Sequence, residues 1–121
     1  MDPDELRKRF RQFALRCIRL VNAFPRTQAA EVIGYQLIKC STSAAANYRS
    51  ACAGRSKADF IAKLGIVHEE TDESLFWIDL APEAGLVKRE LVTDLLDEAD
   101  QLVSIVVASL RTSKRNRTLA E

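Results

Sequence analysis

Three short interruptions divide this chain into four long segments, and within each segment apolar residues recur every three or four positions. The breaks are Phe24-Pro25, Gly54-Arg55-Ser56 and Pro82 to Gly85. A recurrence of three and four lines one face of an α-helix, whereas a half-buried strand alternates. The 4 Gly and 3 Pro are too few, and not spaced, for a strand-and-turn protein.

The first helix is predicted over about 3–24. Asp2 can cap it, Pro3 suits the first helical position, and Asp4 and Glu5 complement the dipole. Its stripe is Leu6, Phe10, Phe13, Cys17, Leu20 and Phe24. The second helix, about 28–53, starts after Thr27 and carries Val32, Ile33, Gln36, Leu37, Cys40, Ala44, Asn47 and Ala51 inward. Its second half is rich in small residues, which predicts close enclosure by neighbours. Gly54 is expected to end it in the left-handed conformation. Ser56 and Asp59 resemble a capping box for the third helix, about 57–81, with Phe60, Leu64, Val67, Thr71, Leu75 and Ile78 inward and Phe76 and Trp77 widening that face. The fourth, about 88–113, runs on Leu91, Leu95, Ala99, Leu102, Val106 and Leu110, and a polar tail, 114–121, is expected to fray.

Four helices with short connections and no strand signal predict an all-α, antiparallel up-down-up-down four-helix bundle, one domain over 1–121. At 1.5 Å per residue such helices would be roughly 33–39 Å long, giving a thin bundle with much flank. Apolar residues beyond a single stripe, among them Tyr35, Ile38, Val103 and Val107, predict self-association.

The net charge of +1 conceals a division. Residues 1–63 carry 12 Lys/Arg against 5 Asp/Glu, residues 64–100 carry 2 against 11, and residues 101–121 carry 4 against 1. Two arrangements fit this split: oppositely charged helices side by side, or a basic region that attracts a polyanion. Cys17, Cys40 and Cys52 are odd in number and form no C-x-x-C pair, which predicts free thiols. The start MDPDELRKRF lacks the apolar core of a secretory leader, and Leu102–Leu110 is too short for a membrane span, so a cytoplasmic protein with no membrane partner is expected.

The residue inventory argues against catalysis. His68 is the single histidine, which removes di-iron Glu-x-x-His pairs and Ser-His-Asp arrangements by count. The cysteines lack zinc-ligand spacing, and Gly54 stands outside any phosphate loop. No metal, cofactor or catalytic residue is expected. A helical RNase would need an arginine four to six residues before the histidine, where this chain has Lys63, which lacks the planar fork of arginine.

Gln36 and Asn47 lie on one face of the second helix and are expected to form a buried hydrogen-bonded line with Glu70, Thr71 or Ser74. Glu69 and Glu73 are expected to pair with Arg49 or Lys63. The remaining cations gather at one pole. Arg49, Arg55, Lys57 and Lys63 surround the turn between the second and third helices, and up-down topology brings Arg7, Lys8, Arg9, Arg11, Lys114, Arg115 and Arg117 to the same end. Such a surface suits nucleic-acid phosphates, RNA or DNA, without sequence preference. The alternative is a solvated charged end paired internally to Asp2, Asp4 and Glu5. Tyr48 is the one aromatic nearby, so base stacking is expected to be minor.

Several of these segments carry a family resemblance. Gln36-Leu37, Ser43, Asn47, GRSKADFIAKLGIV at Gly54–Val67, Glu70 and Glu73 before Leu75-Phe76-Trp77, and LLDEADQLVSIVVASLRTSK at Leu95–Lys114 are its motifs. Through them the chain, from about Phe13 to Arg115, resembles the four-helix-bundle proteins encoded in intervening sequences of bacterial 23S ribosomal RNA genes, the S23 family. That family is similar to the accessory variability proteins of diversity-generating retroelements. The resemblance implies a non-enzymatic homopentameric ring and, for retroelement members, a basic surface that engages nucleic acid and a reverse transcriptase. Ser50 departs from the pattern: many members place an acid after the asparagine. A protein-assembly scaffold that binds no nucleic acid is the competing expectation.

Overall fold

The structure, a computed structural model, describes residues 1–120, with side chains through Thr118. Four helices form: α1 (Pro3–Asn22), α2 (Gln28–Cys52), α3 (Lys57–Glu83) and α4 (Thr93–Ala120), with a single 3-10 turn at Arg89–Leu91. Each helix packs on the next in sequence, α2 against α3 most extensively, and α1 and α4 close the bundle with a sparser contact. Val21 faces Gly34 and Phe10 faces Tyr48, which sets α1 and α2 antiparallel. Among the described residues there is no strand.

The starts of the first three helices follow local chemistry. Asp2 accepts from the Asp4 amide at 2.7 Å, Thr27 from the Ala30 amide at 3.2 Å, and Ser56 from the Asp59 amide at 3.1 Å. Each cap satisfies an amide that has no partner inside its own helix.

The ends differ from expectation. Gly54 does not have positive φ; Gly85 is the residue that does, at 76°. Glycine is required at 54 by crowding: a Cβ there would lie 2.9 Å from the Ala51 carbonyl oxygen and 3.1 Å from an Asp59 carboxylate oxygen. Pro82 does not end α3 but sits inside its last turn. The end is set by Gly85, whose amide donates to Pro82 O at 3.0 Å while the Leu86 amide donates to Ala81 O at 3.0 Å. These are the paired bonds of a Schellman motif, closed by the apolar contact of buried Leu86 with Ala81. The 3-10 turn then delays α4 to Thr93 and turns Val92 inward, so Leu91, expected inward, is 63% exposed, while Leu95, Ala99, Leu102 and Val106 are buried as expected. Beyond residue 113, where a frayed tail was expected, α4 continues to Ala120; Glu121 lies outside the described residues.

One core runs the length of the bundle. It contains Phe10, Phe13, Cys17, Leu37, Leu64, Val67, Ile78, Leu102 and Val106. A smaller cluster, Ala30, Ile33, Ala81 and Leu86, closes the pole opposite the 53–56 turn. Val32, expected inward, is 55% exposed, and Phe76 lies outside while Trp77 is half-buried. The buried hydroxyls are satisfied locally: Thr71 donates to Val67 O at 2.6 Å and Ser74 to Glu70 O at 2.8 Å. Ser74 also meets Cys40 Sγ at 3.1 Å, joining α3 to α2. Burial pushes the Cys17 thiol up to about 12 and the Cys40 thiol up to about 11, so both stay protonated.

Candidate nucleic-acid interface

The up-down order brings the start of α1, the end of α2, the start of α3 and the end of α4 to one pole. There a groove of about 640 Å³ opens between α1 and α2. Arg7, Lys8 and Arg11 of α1 line it, with Asp4 beside them, and Arg49 faces them from α2 across Ala45 and Ala46. Residues seven, eight and eleven fall on the groove side because positions three and four apart share a helical face. The small residues of α2 create this space. Ser41, Ala44 and Ala51 are enclosed as expected of this stretch, whereas half-buried Ala45 and exposed Ala46 leave an open floor.

The groove is incompletely neutralised. Arg7 pairs with Asp4, whereas Lys8, Arg11 and Arg49 have no acidic partner among the described residues. Arg9 turns the other way: its guanidinium meets Glu98 of α4 through two contacts, at 3.1 and 2.5 Å, and also donates to Gln101 at 3.1 Å. Lys8 and Arg11 therefore remain open although an acidic helix lies nearby.

Arg55 and Lys57 are exposed at the turn, and Lys114, Arg115 and Arg117 are exposed on the last turns of α4. Lys63 differs from its expected role, because Asp59, one turn earlier on α3, holds it at 3.3 Å. Tyr48 is buried against Phe10, and burial pushes its hydroxyl above the ordinary range, so it is not available to stack on a base.

The expected polar line is not built as such. Asn47 donates within α2, to Ser43 O at 2.9 Å and Ser43 Oγ at 3.1 Å. Gln36 makes no side-chain hydrogen bond among the described residues. Glu73 accepts from Trp77 Nε1 at 3.4 Å and pairs with neither Arg49 nor Lys63. Glu70 is held above the usual carboxylate range, first by burial and then by Glu73, with Lys39 opposing. His68 is half-buried, with no hydrogen bond or ion pair among the described residues. No group of three or more His, Cys, Asp or Glu among those residues could hold a metal ion. No described helix is long and apolar enough to cross a membrane.

Four packed helices with a cation-lined groove between α1 and α2 place the chain among small helical-bundle proteins. The family model for 23S rRNA-intervening sequence proteins matches residues 5–108, and the chain belongs to that family. A solved structure from Bacteroides thetaiotaomicron VPI-5482, described as a protein of unknown function from the S23 ribosomal protein family, is similar at 26% identity. The match covers 87% of this chain and 97% of that one with a TM-score of 0.80. No curated protein matches.

Proposed function

We propose that this protein is a non-catalytic, oligomeric accessory protein whose basic pole holds the backbone of RNA or DNA. The observation that carries this reading is the convergence of Lys8, Arg11 and Arg49, none with an acidic partner among the described residues, on one groove. Arg55, Lys57, Lys114 and Arg115 extend the same field around the turn and along the end of α4. A concentration of cations of this kind binds phosphates through counterion release, so affinity falls steeply with salt and depends little on sequence. The five-fold ring that the resemblance implies would multiply the field. If the chain serves a retroelement, the same resemblance makes a reverse transcriptase its protein partner.

Binding of labelled RNA and DNA across a salt series tests this directly. Arg55→Glu with Lys57→Glu is expected to weaken both. No binding at low salt, or no change in that variant, overturns the proposal.

A second reading, a protein-assembly scaffold, draws on Val32, Tyr35, Ile66 and Phe76, which are large, apolar and exposed on α2 and α3. Light scattering separates part of it: a monomer at micromolar concentration removes the ring from both readings. A nuclease would show RNA cleavage that disappears in His68→Ala.

A further inference from the structure

We infer that the α1–α2 groove is a seat for a single nucleic-acid strand, and that duplex binds elsewhere on the pole; this rests on the nucleic-acid reading of that pole. The groove is a surface furrow between two packed helices whose axes lie about 8–10 Å apart, whereas a duplex is broad enough that its major groove alone, about 12 Å wide, admits a whole helix. A duplex laid on this pole rests on helix crests and on the turn that carries Arg55 and Lys57. A single strand can lie along the furrow.

The chemistry inside the groove fits that occupant. Arg11 and Lys8 on one wall and Arg49 on the other can take successive phosphates from both sides. The floor, Ala45 and exposed Ala46, is apolar and shallow enough to receive a sugar or a base edge. Guanidinium planes can stack on unpaired bases, which substitutes for the aromatic platform that buried Tyr48 does not supply. Recognition built this way is blind to sequence but sensitive to strandedness. Asp4 regulates it: its carboxylate holds Arg7, and a phosphate must compete for that guanidinium.

The test uses fluorescence anisotropy of the full chain with a mixed-sequence single strand of about 16 nucleotides and the blunt duplex of the same length, over a salt series. The single strand is expected to bind more tightly than the duplex. Its log affinity should fall with log salt at a slope of about −2, as three phosphate contacts give. Arg11→Gln or Arg49→Gln should each reduce that slope by about 0.7, and Asp4→Asn should steepen it by a similar amount by freeing Arg7. Ala46→Leu, which fills the floor at an exposed helical position, should weaken single-strand binding about tenfold and leave duplex binding unchanged. Arg19→Gln, at the far end of α1, should change neither. Equal affinity for strand and duplex, or equal effects of Ala46→Leu on both, overturns the seat while leaving the basic-pole reading intact. Absence of binding to either nucleic acid overturns both. Circular dichroism establishes that each variant is folded, and the charge variants decide the matter should Ala46→Leu fail to fold.

Discussion

Phe10 of α1 stacks on Tyr48 of α2, with ring centroids 5.2 Å apart and planes inclined by 27°, one position in from residues that line the basic groove. The pair fixes the two groove walls relative to each other. Tyr48→Ala is expected to cost about 3–5 kcal/mol of stability, read by denaturant unfolding. Tyr48→Phe keeps the ring, should cost no more than about 1 kcal/mol, and should leave nucleic-acid affinity unchanged. A loss of affinity in Tyr48→Phe would mean that the hydroxyl reaches the ligand.

Glycine substitutions should have opposite signs. Gly65 lies inside α3 with nothing within 4 Å of a built Cβ, so Gly65→Ala should stabilise by about 0.5–1 kcal/mol. Gly85 has φ of 76°, so Gly85→Ala should destabilise by about 1–2 kcal/mol. Thermal unfolding of the two variants side by side checks the Schellman assignment at the end of α3.

Arg9 and Glu98 join α1 to α4, which of the neighbouring helices share the least contact. Their side chains are 25% and 19% exposed, so screening is partial. A double-mutant cycle with Arg9→Gln and Glu98→Gln should give a coupling of about 0.5–1 kcal/mol that shrinks as salt rises. Additive effects of the two changes would show that the contact contributes nothing.

Buried thiols should set an alkaline limit. Below the ordinary thiol value of 9.0, folded and unfolded chains both keep the Cys17 and Cys40 protons, and their contribution to stability is fully present. As pH rises from there toward about 12, the unfolded chain releases the Cys17 proton while the folded chain retains it, so stability falls. Cys40 acts in the same direction up to about 11. The double variant Cys17→Ala with Cys40→Ala should lose stability less steeply with pH in that window, whatever its stability at neutral pH. Equal slopes would contradict the burial argument.

The neutral-pH corollary concerns reactivity. Thiol-specific reagents should label half-buried Cys52 well before Cys17 and Cys40, which are buried and protonated. Simultaneous labelling of all three under native conditions would indicate that the core opens readily.

Helix existence, three of the starts and most of the core were readable from the sequence because they depend on local chemistry. The three-and-four spacing of Phe10, Phe13, Cys17 and Leu20 places them inside whatever the partners are, and Asp2, Thr27 and Ser56 cap amides two or three residues away. Family membership was equally a property of the residues themselves. What the tertiary structure decided were questions of competition between distant groups. Gly54 and Gly85 looked alike in sequence, yet one is needed for crowding by Ala51 and Asp59 and the other for its backbone conformation. Lys63 counted as a pole cation until Asp59 took it, and Arg9 until Glu98 did, while Arg11 and Arg49 have no acidic partner among the described residues. Small residues at Ala45 and Ala46 could have admitted a neighbour or left a floor. Only the placement of α1 made them a floor, because the same short side chain yields close packing or open space according to where the next helix lies.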